Sequence, residues 1–284
     1  MRPFSILLGS GLVLCCASLV METPEASLPM QTSSQQHAFS DSGRSFSLGE
    51  KFTYLVSWKV FDAGIATISL VDRFHAQNED FYRIRATVRS TGIVATLFKV
   101  IDVFESHMTV ADFCSRRIVK NIQEGHRQRT TVVDFDQKTR QARMNDIDLS
   151  RPGVPPKHSE SPIPACVQDV ISAFYFVRTR NFKVGETFRF PINDGGRTYD
   201  VEVEVQAMEP VKTPAGTFQA FRLEPKVFGG LFKNKGRLFV WLMNDTEKVP
   251  IQLKARIAIG TITASLASID KPLTIQALPG KGQN

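Results

Sequence analysis

Residues 199–206 read Tyr-Asp-Val-Glu-Val-Glu-Val-Gln, apolar and polar side chains in unbroken alternation. A period of two sends Tyr199, Val201, Val203 and Val205 to one side of the backbone and the charged residues to the other. That is the pattern of a half-buried strand, not of a helix. The preceding Asn193-Asp194-Gly195-Gly196 is a tight hairpin turn. It joins 199–206 to an apolar stretch at 187–192. Downstream, Thr213-Pro214-Ala215-Gly216 turns the chain into a further strand at 218–225.

The same reading extends outward in both directions. Phe52, Tyr54, Val56, Trp58 and Val60 alternate with Thr53, Ser57 and Lys59. Further strands are read at 65–72, 81–90, 103–109, 117–124, 129–135 and 141–145, then at 237–243, 251–257 and 261–269. About a dozen short strands at regular spacing indicate a barrel or sandwich. No crossover helices separate them, which excludes a parallel sheet. One helix interrupts them, at 169–180. Asp169 is its N-cap, and Val170, Ala173, Phe174 and Val177 form one apolar face. Arg178 and Arg180 stand at the end where the helix dipole favours cations. The expected fold is mainly β: a large curved antiparallel sheet, a half-barrel or open barrel, with one central amphipathic helix.

The folded part is expected to span 48–270 of the 284 residues as a single β-rich domain, with a flexible tail at 271–284. Ahead of it, 22–47 is rich in Ser, Gln and Pro and reads as a disordered linker. Segment 1–21 has a basic Arg2 and an apolar run, Phe4 to Met21, as in a secretory signal peptide. Cleavage after Ser18, in the small-residue sequence Cys16-Ala17-Ser18, is the leading reading, and retention as an uncleaved anchor is a further one. Lipidation at Cys15 or Cys16 is the minority one, since Leu14 is bulky where lipoprotein signals want a small residue. The protein is expected to be exported, to the periplasm or in association with the outer membrane.

Of four cysteines, Cys114 and Cys166 lie beyond that segment. In an oxidising compartment such a pair is a natural disulfide, closing a loop whose cross-link is worth ~4 kcal/mol. Metal binding lacks support: no Cys or His neighbour stands at ligand spacing, and the histidines at 37, 75, 107, 126 and 158 form no paired motif. No phosphate loop or nucleophile elbow appears. Asp134 and Asp136 sit where a hairpin turn wants Asp. No catalytic residues and no cofactor are therefore assigned, and the chain is expected not to be an enzyme. Its net charge of +7 favours weak attraction to anionic surfaces. The cations are scattered without a nucleic-acid signature, so no nucleic-acid partner is expected. Peripheral membrane contact and oligomeric state are left open.

Two segments invite a binding hypothesis. Residues 92–99 end in Leu97-Phe98-Lys99, and 229–233 end in Leu231-Phe232-Lys233. Two apolar, glycine-bearing loops with terminal lysines would form the mouth of a cavity, apolar groups meeting acyl chains and lysines meeting headgroups. Trp58 and Trp241 are candidate lining residues. The alternative for all eight is ordinary core packing.

The segments GEKFTYLVSWKVFDAGIATISL, PACVQDVISAFYFVRTR, VKTPAGTFQAFRLEP and VWLMNDTEKVPIQLKARIAIGTITASL together resemble the bacterial domain-of-unknown-function family numbered 3108. The resemblance implies a bacterial envelope protein and brings no catalytic residues. With the two apolar loops as the mouth, the expected function is a non-enzymatic envelope protein that binds a lipid, lipoprotein or glycolipid in a concave sheet cavity. The alternative is an interaction scaffold docking to another envelope component. A carrier requires a continuous apolar cavity, whereas a scaffold has a filled core and an exposed patch.

Overall fold

The computed structural model describes residues 46–228, 236–257 and 260–271. The signal segment, Cys15, Cys16, Leu231, Phe232, Lys233 and the tail lie outside the described residues.

Fourteen strands form one sheet. The first eight are β1 (Lys51–Trp58), β2 (Phe61–Ala76), β3 (Glu79–Ser90), β4 (Ile101–Thr109), β5 (Ser115–Glu124), β6 (Arg127–Asp136), β7 (Gln141–Asp148) and β8 (Lys157–Pro162). The remaining six are β9 (Thr187–Asp194), β10 (Arg197–Thr213), β11 (Gly216–Phe228), β12 (Gly236–Met243), β13 (Pro250–Ile257) and β14 (Gly260–Asp270). Consecutive strands pair antiparallel except β8 and β9, and β1 pairs with β14. The sheet is thus a meander that begins and ends at its own middle, with β8 and β9 as its two edges. Two helices interrupt it, α1 (Gly92–Leu97) between β3 and β4 and α2 (Ser172–Arg178) between β8 and β9.

Two of these elements differ from the sequence reading. The 92–97 stretch, expected as a loop, is helix α1. The 150–164 connection contains β8, whose sequence Lys-His-Ser-Glu-Ser-Pro shows no apolar alternation. An edge strand has a partner on one side only, and charge and proline keep the other side from pairing with another chain. The β9 edge is covered by the chain itself. Gln168 donates its N–H to the Pro191 carbonyl and accepts from the Asn193 N–H, a parallel bridge.

The sheet curls until its ends approach. Lys120 of β5 pairs with Asp194 at the tip of β9, both buried. At the adjoining turn a Cβ added to Gly196 would lie 3.1 Å from Ser159 Oγ of β8. Closing a twisted sheet in this way removes most of its exposed edge.

Helix α2 lies in the concavity. Asp169 accepts N–H bonds from Ile171 and Ser172, so the expected cap is made, one turn ahead of the regular helix. Its other oxygen accepts from Ser106 and Ser115 at 2.6 Å each. Burial runs round the helix rather than along one face. Ile171 and Tyr175 join a cluster with Phe52, Tyr54 and Leu70, while Ala173 and Phe176 join another with Phe190, Val203 and Leu223. Of the stripe expected from periodicity, Ala173 is buried, while Val170, Phe174 and Val177 are only half-buried. A helix enclosed by a curved sheet must also bury polar residues, and each then needs a partner.

Arg178 finds its partner in Glu50, at 2.6 Å between Nη1 and Oε1, with both side chains buried. Arg178 Nε donates to the Glu247 carbonyl. Its guanidinium lies 4.8–5.2 Å from the rings of Phe46, Phe52 and Tyr175. Nearby, Tyr54 donates its hydroxyl proton to the Pro250 carbonyl, and burial pushes its phenol well up. The Cys114–Cys166 disulfide ties the β4–β5 turn to the segment leading into α2. Glu50→Gln leaves the guanidinium buried without a counter-charge, and is expected to lower the unfolding free energy by about 3–5 kcal/mol. Chemical denaturation reads this as a lower midpoint at unchanged slope; a midpoint equal to that of the parent protein would show that the pair does not anchor the helix.

Candidate functional site

In an antiparallel meander, successive connections alternate between the two ends of the sheet. The turns β1–β2, β3–β4, β5–β6, β7–β8 and β9–β10 share one rim, and α1 lies on it. Val60, Phe61, Ile93 and Leu97 there are 87%, 60%, 72% and 75% exposed. Ile101, Leu149 and Val154 on the same rim are also exposed. Seven of the twelve exposed large apolar side chains among the described residues thus stand on this one rim. Scattered exposed apolar residues are ordinary; a concentration at one edge marks a contact site.

The binding residues read from the sequence are distributed as follows. Leu97 projects from the end of α1 into solvent, and Lys99 is exposed beside it. Phe98 folds back over the β5–β6 turn, where an added Cβ on Gly125 would lie 3.0 Å from its ring. Gly125 also has a φ of +58°, so both space and backbone require glycine there. Phe98 is therefore a fastener that holds α1 down, and Leu97 is its solvent-facing neighbour. Trp58 is half-buried at the end of β1, on the same face as Phe52 and Val56, with its indole N–H unpartnered. Trp241 is buried on the face of β12 opposite Val240 and Leu242, which pack toward α2. Its indole N–H donates to Glu209 at 2.8 Å, and Lys254 Nζ lies 5.5 Å from its ring. Trp58 and Leu97 thus share the α1 rim, whereas Trp241 is buried within the main core cluster, against whose margin Trp58 packs.

The concave lining below the rim changes character along the strands. Cross-strand register places Ser106, Ile118, Val133 and Met144 in one row. The next row toward the rim is Phe104, Lys120, Thr131 and Asp146. Nearer still, Ile122 opposes Arg129, which opposes Asp148. Sequence reasoning passed over these charged residues, because on an alternating strand they look like its solvent face. They pair with one another: Thr131 donates to Asp146 at 2.7 Å, Arg129 lies 3.4 Å from the same carboxylate with its Nε left without a partner, and Arg127 bonds Glu124 at 3.2 Å.

Asp102, buried on β4, has no basic side chain bonded to it; it accepts the Gln123 N–H at 3.0 Å. Burial, reinforced by the Glu124 carboxylate, raises its pKa to about 7, against the pull of the Gln123 N–H and Arg127. Burial likewise raises Glu124. Asp134 pairs with Arg117 and Asp136 accepts turn N–H groups from Lys138 and Thr139, as hairpin residues do. Among the described residues no group of three His, Cys, Asp or Glu is placed to hold a metal ion.

A family pattern described as a protein of unknown function, DUF3108, matches residues 53–267. The chain belongs to the DUF3108 family. No curated protein matches its sequence. Among solved structures, this DUF3108 chain is similar to a β-barrel-like protein of the unknown-function domain DUF1849 from Brucella abortus. The TM-score is 0.52 at 8% identity, over 80% of this chain and 99% of that one. That likeness shows the fold: an antiparallel, barrel-like sheet. Weaker likenesses are to a "putative exported protein with YmcC-like fold" from Bacteroides fragilis (TM-score 0.35, 8% identity, covering 79% and 96%) and a "putative lipoprotein" from Parabacteroides distasonis (0.29, 11%, 79% and 96%).

Asp102 yields a signed prediction. Its folded pKa lies above its ordinary value of 3.8. The folded state therefore keeps this proton after the unfolded chain has lost it, and stability falls as pH rises from about 4 to about 7. Asp102→Asn is expected to be more stable than the parent at pH 8, with the difference shrinking toward pH 4. Thermal melts across that window check it, and a difference independent of pH would remove the assigned cause.

Proposed function

We propose that this DUF3108 protein is a non-enzymatic, exported envelope protein that binds an amphipathic ligand, a lipid, lipoprotein or glycolipid, at its α1 rim. The observation that carries this reading is the group of exposed Phe61, Ile93 and Leu97 at the same end of the sheet as the inward-facing charged rows. Apolar chains would lie against the former and a polar headgroup would face Arg127 and Arg129. The apolar segment 1–21 supports export. The absence of a catalytic role is part of the proposal: none of the buried polar groups described above forms a nucleophile–base pair.

The concavity expected to shelter a ligand is occupied at its far end by α2, so the proposed contact moves outward to the rim. That filling favours a second reading, a scaffold whose rim docks to another envelope component. Native mass spectrometry of protein purified from its own envelope separates the two. A bound lipid mass that falls several-fold in Phe61→Asp/Leu97→Asp is expected for the ligand-binding protein. A clean apo mass from the parent protein would sink that reading in favour of the scaffold.

A further inference from the structure

We infer that the α1 rim docks edge-on to an anionic lipid bilayer, with Val60, Phe61, Ile93 and Leu97 inserted among the headgroups. This rests on the reading of the rim as an amphipathic contact and names the partner as the membrane surface itself.

Three observations carry it. The exposed apolar side chains stand on different turns at one end of the strands, so they project along the sheet axis as separate tips. Separate tips with exposures of 60% and above suit a fluid bilayer, which closes round each one. A folded protein partner needs a continuous, complementary patch. Second, cations flank the tips. Exposed Lys59 adjoins Val60, exposed Lys99 follows Leu97 by two residues, and exposed Arg89 stands cross-strand from Ile101. Lys157 and Arg197 are exposed on the neighbouring turns. Long basic side chains beside apolar tips reach the headgroup layer while their stems lie in the interface.

Third, the rim's carboxylates are withdrawn. Among rim residues 58–62, 89–101, 124–127, 148–157 and 194–197, Asp62 is the one exposed carboxylate. Glu124 is bound to Arg127, Asp148 to Arg151, and Asp194 to Lys120. The surface that meets solvent is therefore apolar and positive, the complement of an anionic bilayer.

The test uses the full chain and reads the rim alone, so that any contribution of segment 1–21 cancels. Leu97→Trp places an indole at the exposed tip. The control, Val184→Trp, places one at an exposed position at the other end of the sheet. Both are mixed with vesicles of phosphatidylcholine containing a minority of phosphatidylglycerol, with bromine on the acyl chains as a quencher. The expected result is a blue shift and strong quenching for Leu97→Trp, with neither for Val184→Trp. Adding Lys59→Glu/Lys99→Glu is expected to weaken the Leu97→Trp signal on the order of tenfold or more, from roughly 1 kcal/mol per basic residue near such a surface. Equal signals at both positions would mean that segment 1–21 alone holds the protein to the vesicle, and would overturn the inference. So would an unquenched indole at position 97 on protein that co-sediments. If quenching occurs while native mass spectrometry finds a clean apo mass, docking stands and ligand extraction falls. Rim-dependent capture of an envelope protein without quenching would replace the bilayer by a protein partner.

Discussion

The Glu50–Arg178 pair is the constraint around which this structure is arranged. A guanidinium inside a β-sheet's concavity costs several kcal/mol unless its charge is matched and its N–H groups are used. Here it is held by a carboxylate that arrives just ahead of β1, by the Glu247 carbonyl in the β12–β13 connection, and by aromatic faces. Those partners come from the chain's first described segment, its middle and its second half. The pair can therefore form only when the meander has curled and β1 has met β14. It is a buried test of correct closure, and the disulfide places α2 where that test is made.

Anchoring the helix has a functional consequence. A concavity whose far end is filled by Ile171, Tyr175 and Phe176 offers its remaining chemistry at the opposite end, where the charged rows and α1 lie. The polarity gradient follows: apolar around the helix, ion-paired midway, and then apolar again on the solvent side of the rim. Buried charge in the middle zone is balanced residue by residue, except at Asp102. There burial, reinforced by the Glu124 carboxylate, keeps the carboxyl protonated to about neutral pH.

Much of this was legible in the sequence where geometry imposes a period. The alternation at 199–206 and 52–58 marks true strands, the turn at 193–196 is a true hairpin, and Asp169 does cap the helix. The disulfide followed from counting cysteines outside the signal. What stayed hidden lacks a period. The six residues 92–97 are too few to separate helix from loop, and β8 has the composition of a loop because it is an edge strand, paired on one side only. Glu50 is a lone acid beside a turn, indistinguishable from a surface residue until Arg178 is seen above it. Lys120 and Asp146 sit on the inner face of strands, yet by composition alone they would be assigned to water. Phe98 and Leu97, one motif in the sequence, have opposite roles once α1 turns one inward and the other out.

In the proposed function, contact with an amphipathic surface is made at the rim while α2 stays in place. Hydrogen–deuterium exchange of the full chain with and without anionic vesicles tests it most directly. Slowed exchange is expected over residues 91–101 and no change over Ser172–Arg178, whose helix is anchored through the Arg178 side chain to Glu50. Altered exchange in α2 with the rim unchanged would contradict it, and would put the ligand beneath the helix.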